Sequence, residues 1–123
     1  MNLYASREDY LEAILVLYKK VGSVRSVDSA RHMGVSKPSV CHAVNVLCDG
    51  GFLTKDDKHF ISLTEEGRKV AEKIYERHKF FKEQLISAGV RPNIAETEAC
   101  RIEHCISDES FLKLKEYREK GKG

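Results

Sequence analysis

Ser26-Val27-Asp28-Ser29-Ala30-Arg31-His32-Met33-Gly34-Val35-Ser36 is the stretch from which the rest of the chain can be read. Ser26 can cap a short helix in which Val27, Ala30 and Met33 keep helical spacing, and Gly34 supplies the left-handed residue that ends it. Val35 is one buried aliphatic in the turn, and Ser36 caps a new helix. A helix, a glycine turn and a capped helix at this spacing predict a helix-turn-helix.

The second of those helices runs from Lys37 to about Gly50. Pro38 suits its first turn, where the missing N–H costs little. An inner stripe of Val40, Val44 and Leu47 leaves Pro38, His42, Asn45 and Asp49 pointing outward, with Ser39 and Cys41 on the flanks. Ser36, Lys37 and Ser39 offer hydroxyls, a cation and free backbone N–H groups, which position a phosphate or read base edges in a major groove. An ordinary solvated face has the same composition. After Gly50-Gly51, two β-rich runs, Phe52-Leu53-Thr54-Lys55 and His59-Phe60-Ile61-Ser62-Leu63, flank the polar turn Asp56-Asp57-Lys58 and predict a hairpin. A hairpin in that place makes a winged helix, with Lys55, Lys58 and His59 available to phosphates and the aspartates shaping the turn.

Upstream, Ser6-Arg7-Glu8-Asp9 reads as a cap with acids in the first turn of a helix reaching to Gly22, striped by Tyr10, Leu11, Ile14, Leu17 and Tyr18. Asp9 and Glu12 share a face beside that stripe. Serving the helix dipole is reason enough for them to be there. Downstream, Thr64 caps the longest helix, to about Ala88, with Val70, Ile74, His78, Phe81 and Leu85 along one side. His78 is then a hydrogen-bonded core residue or a ligand. Beyond the break at Gly89-Val90-Arg91-Pro92 comes Ala99-Cys100-Arg101-Ile102-Glu103-His104. Cys100, Glu103 and His104 stand at i, i+3 and i+4, so a helix would aim a thiolate, a carboxylate and an imidazole from one face, opposite Ala95, Ala99, Ile102 and Ile106. That is a metal-ligand trio, unless Glu103 and His104 are solvated surface and Cys100 a small buried hydrophobe. Ser107-Asp108-Glu109 caps a last helix carrying Phe111, Leu112, Leu114 and Lys115.

With 33% charged and 41% hydrophobic residues, no Trp and only 2 Pro in 123 residues, the composition suits a mainly helical fold. The formal net charge is +2, but residues 19–63 hold seven Lys/Arg against four Asp while the first helix is acidic. No apolar run approaches the ~20 residues of a membrane span and no leader is visible, so a cytoplasmic protein without a membrane partner is expected. In a reduced compartment the cysteines at 41, 48, 100 and 105 are free thiols or metal ligands. The sequence has neither a Gly-rich phosphate cradle nor His-Glu-x-x-His, which argues against an enzyme and a small-molecule substrate. A thiol-based redox regulator using Cys100 and Cys105, or Cys41 and Cys48, is the nearer alternative. A small metallohydrolase is a remote one.

The chain resembles the diphtheria-toxin-repressor family of metal-dependent transcriptional regulators, including its manganese-transport-regulator branch. The resemblance rests on Asp9-Tyr10-Leu11-Glu12, Val35-Ser36-Lys37-Pro38-Ser39-Val40, Leu63-Thr64-Glu65-Glu66-Gly67, Arg77-His78 and Glu98-Ala99-Cys100-Arg101-Ile102-Glu103-His104. It implies a winged helix-turn-helix DNA-binding domain at 1–72 and a helical metal-binding and dimerisation domain at 73–123, without the SH3-like domain of some members. It further implies a homodimer that binds a palindromic operator in double-stranded DNA when loaded with metal, most naturally as a repressor. Carried over by position, one centre draws on Asp9, Cys100, Glu103 and His104, and an adjacent one on Glu12 and His78 with Glu103 shared. Asp9 and Glu12 are similar to the manganese branch and Cys100 to the iron branch. Lys82 stands where both branches have an acid, and Glu96 where the iron branch has a histidine. The mixed donors lean slightly to Fe²⁺ over Mn²⁺, with Zn²⁺ or Co²⁺ able to bind in vitro.

Overall fold

Ser6 and Asp9 bond each other reciprocally, Ser6 Oγ accepting from the Asp9 N–H at 3.1 Å and the Asp9 carboxylate from the Ser6 N–H at 2.9 Å. This capping box opens α1 (Arg7–Val21) in the computed structural model, which describes residues 6–121. Tyr10, Leu11, Ala13, Ile14 and Leu15 are buried, and Gly22 at φ 79° ends the helix. Tyr18 departs from the expected stripe and is 55% exposed.

Strand β1 (Val24–Arg25) is an addition to the expected hairpin. It pairs antiparallel with β3 (Phe60–Leu63), Val24 opposite Ile61 and Arg25 opposite Phe60, while β2 (Leu53–Lys55) pairs with the other edge of β3. The sheet order is therefore β1-β3-β2. Two residues are too few to show an alternation, but a fully buried Val24 makes the strand part of the core. The turn between β2 and β3 is built by Asp56, whose Oδ1 accepts from the N–H groups of Lys58 and Phe60, both at 2.9 Å.

Helix α2 (Ser26–Met33) starts at Ser26 instead of being capped by it; Arg25 holds the extended cap position, its N–H donating to Asp28 at 2.9 Å. The face also turns: Val27 is 40% exposed, and Ser29 and Ala30 are the buried residues. Gly34 ends α2 at φ 70°. Ser36 then caps α3 (Lys37–Asp49) by accepting from the Ser39 N–H, and Val40, Val44 and Leu47 are buried as their spacing requires. Thr64 accepts from the Gly67 N–H at 3.1 Å at the start of α4 (Glu65–Ser87). Gly67 has no alternative, since a Cβ there would lie 2.0 Å from the Phe52 carbonyl oxygen.

The chain packs as two compact units, one up to Lys73 and one from Ile74 onward. The core of the first includes Leu11, Ile14, Val24, Val40, Val44, Leu47, Leu53 and Ile61. It is a mainly helical winged helix-turn-helix with a small antiparallel sheet. The second is all helix: the C-terminal part of α4, then α5 (Pro92–Ile102) and α6 (Asp108–Gly121). Phe80, Phe81, Ala99 and Phe111 form its core, with Phe80 edge-to-face against Phe81 and Phe111 at 5.2 and 5.3 Å. Of the apolar residues expected on the last helix only Phe111 is buried; Leu112 and Leu114 are 54% and 43% exposed. Among the described residues no helix is long and apolar enough to cross a membrane.

Candidate metal centre and nucleic-acid interface

Helix α5 stops at Ile102, so the trio does not share one helical face. Cys100 lies in α5, Glu103 occupies the C-cap position with its N–H on the Ala99 carbonyl at 3.0 Å, and His104 follows in the turn beyond. The burials reverse the bland expectation. Glu103 is 0% exposed, whereas Cys100 is on the surface. A carboxylate taken out of water costs several kcal/mol unless it is compensated. Here His78 compensates it: buried on α4, its Nδ1 lies 2.9 Å from Glu103 Oε2 and 3.6 Å from the Cys100 sulfur. The ligand atoms of His78, Cys100 and Glu103 all fall within 4.8 Å of one another. Hydrogen bonds to Cys100 and to Glu103 hold the imidazole's proton against desolvation and push its pKa up to about 11.

The second ring nitrogen, Nε2, is 3.0 Å from Glu96 Oε1, and the other oxygen of Glu96 is 2.8 Å from Lys82 Nζ. Burial works against the Glu96 carboxylate, yet the bonds from Lys82 and His78 prevail and hold its pKa below the ordinary value. Arg77 is the part that sequence reasoning missed. It is 5% exposed, donates to the carbonyls of Glu103 and Ile106 at 3.4 and 2.8 Å, and pairs with the Asp108 carboxylate. These bonds fix the turn that carries Glu103 and His104. The motif contained Arg77, but only its place beside a buried histidine hinted that it too would be inside.

The donors suit a divalent transition metal. An imidazole, a thiol and a carboxylate converge, and the buried Glu103 Oε1 takes no hydrogen bond, although His104 Nε2 lies 3.3 Å away. Asp9 and Glu12, the remaining expected ligands, lie on α1 in the first unit, where Asp9 serves the capping box. His78, expected at an adjacent centre, is grouped with Cys100 and Glu103.

On α3, Ser36, Lys37, Pro38, Ser39, His42 and Asn45 are all exposed. Lys37, Lys55, Lys58 and His59 line one cavity of about 360 Å³, together with Arg25 and Cys41. Arg25 went unrecognised because β1 did; its guanidinium lies 4.3 Å over the Phe60 ring. Four basic head groups and a histidine around one concavity beside the N-terminus of α3 form a surface suited to a phosphate backbone.

A winged helix-turn-helix joined to a helical unit with a nitrogen, oxygen and sulfur cluster defines a metal-dependent transcriptional regulator as its class. The iron-dependent repressor N-terminal DNA-binding domain matches residues 2–59, and the iron-dependent repressor metal-binding and dimerisation domain matches residues 64–122. The chain belongs to the iron-dependent repressor family, and its curated relatives are transcriptional regulators. The transcriptional regulator MntR of Escherichia coli O6:H1 is 34% identical over 113 residues, covering 92% of this chain and 73% of that protein. An HTH-type transcriptional regulator of Methanocaldococcus jannaschii is 33% identical over 119 residues and 95% of each chain. Among solved structures, the manganese regulator SloR superposes with a TM-score of 0.84 at 25% identity, over 95% of this chain and 55% of that one. T. acidophilum IdeR gives 0.78 at 29% identity, over 94% and 55%. The chain thus spans about half the length of both solved relatives.

Proposed function

We propose that the chain is a metal-gated repressor that binds a palindromic operator as a homodimer. In this reading residues 1–72 read DNA, with Ser36, Lys37, Ser39, His42 and Asn45 at the groove and Lys55, Lys58 and His59 on phosphates. Residues 73–123 bind the ion and dimerise. The observation that carries the reading is Glu103: a carboxylate with no exposed surface, one oxygen on His78 and the other without a hydrogen bond, next to Cys100. His78, Cys100, Glu103 and His104 are the proposed ligands in the second unit, and Asp9 and Glu12 the proposed ligands on α1. In this reading binding of the ion is linked to the DNA-competent arrangement. A ~10–100-fold gain in DNA affinity needs about 1.4–2.7 kcal/mol of such coupling.

The ion we favour is Fe²⁺. At one site the divalent series places Fe²⁺ above Mn²⁺, and the Cys100 thiolate adds to that preference. The names of the manganese regulators among the relatives speak for Mn²⁺, so both ions belong in the test.

Glu103→Gln keeps the shape and a hydrogen-bond partner for His78 but removes the charge. It should weaken Fe²⁺ and Mn²⁺ binding by at least the ~10–100-fold that loss of an outer-shell partner costs, and abolish metal stimulation of DNA binding. Asp9→Asn, which keeps an acceptor for the cap, should do the same more mildly. Unaltered metal-stimulated DNA binding in both variants would refute the assignment.

A further inference from the structure

His78 carries a ring nitrogen on each side of the cluster, and the two sides are unlike. Nδ1 faces Cys100 and the buried Glu103. Nε2 faces Glu96 at 3.0 Å, and the free oxygen of Glu96 is held by Lys82 Nζ at 2.8 Å. His78 and Lys82 are i and i+4 on α4, so they project from the same side of the helix. An imidazole nitrogen beside a carboxylate is the beginning of a three-donor metal site. At the third position stands an ammonium.

The Lys82–Glu96 pair is too exposed, at 38% and 50% for the two side chains, to matter much for stability. Its consequence is electrostatic: a divalent ion approaching Nε2 and Glu96 meets a resident monocation that it must displace. On the other side Glu103 Oε1 takes no hydrogen bond, and the group that faces it, His104 Nε2 at 3.3 Å, is an imidazole that can itself ligate a metal, unlike an ammonium. We propose that Lys82 is a specificity-determining residue that fills the Glu96 side as a fixed cation and limits the His78 cluster to a single metal ion, bound on the Nδ1 side. This rests on the reading of His78, Cys100 and Glu103 as metal ligands. Glu96 is then a positioning residue, orienting the imidazole from behind through Nε2, as the outer partners of metal-bound histidines do.

The count of ions per chain tests this without recourse to DNA binding. The full chain, Lys82→Glu and Lys79→Glu are dialysed against Mn²⁺ and the bound metal is measured by elemental analysis, with circular dichroism as a check on folding. Lys82→Glu places a carboxylate beside His78 and Glu96 and should raise the count from one to two. Lys79→Glu makes the same charge change at an exposed neighbour, where Lys79 lies over the Tyr75 ring, and should leave it at one. Two ions in the unaltered chain, one in Lys82→Glu, or two in Lys79→Glu would each overturn the role of Lys82 while leaving the metal centre standing. No ion in the unaltered chain would overturn the metal centre itself, and this inference with it.

Discussion

Helix α3 and the cluster around His78 are made of similar side chains used in opposite ways. On α3 the polar groups Ser36, Lys37, Ser39, His42 and Asn45 stand in water above Val40, Val44 and Leu47. In the second unit Arg77, His78 and Glu103 have gone inside and the thiol of Cys100 remains at the surface. An exposed face costs little to build, so its chemistry is free to suit a partner. A buried carboxylate and guanidinium are tolerable only when each is matched, so their identities and geometry are dictated together. The first region can be varied at little cost to stability, and the second only by substitutions that keep the hydrogen bonds among its buried groups.

The largest expected effect separates the two sides of α3. Leu47→Ala, at a residue 1% exposed, should cost about 2–5 kcal/mol of stability in urea unfolding. Asn45→Ala, two residues away on the outer face, should leave the unfolding midpoint unchanged and cost about 1–3 kcal/mol of discrimination at one base pair. If Asn45→Ala unfolds the chain, the division between face and core is wrong.

A smaller effect belongs to the His78 cluster and depends on pH. Its folded pKa lies above the ordinary 6.5, so the stability it contributes to the metal-free chain is complete below about 6.5 and is lost as pH rises toward about 11. Metal binding has the opposite sign, because a ligating imidazole must give up its proton. Metal affinity should therefore climb by up to about tenfold per pH unit between 6.5 and 8.5, as measured by calorimetry, one pKa unit being about 1.4 kcal/mol. A flat profile would remove His78 from the ligand set. The smallest effect is at the wing: Lys58→Ala should weaken all DNA sequences alike and lower the slope of log affinity against log salt by about 1.

What was legible in the sequence follows the same division. The buried stripe and outward face of α3 could be read because thirteen residues give the helical period room to show, and Pro38, Ser36 and the glycines mark its ends. The eight residues of α2 leave its face ambiguous: helical spacing puts Val27 inside, whereas the structure buries Ser29 and Ala30 and leaves Val27 40% exposed. Strand β1 was too short to see. Cys100, Glu103 and His104 could be singled out by spacing, but not their burial. That is settled by His78 and Arg77, some 25 residues earlier in the chain, and by the end of α5 at Ile102, which no glycine or proline announces. Tertiary matching of charge decided what periodicity could not.

The most direct test is selection of DNA from a random pool by the purified chain, run in parallel with Fe²⁺ under anaerobic conditions, with Mn²⁺, and with chelator. Metal gating predicts a palindrome enriched with metal and absent with chelator, more strongly with Fe²⁺. Equal enrichment of the same palindrome in the presence of chelator would contradict it.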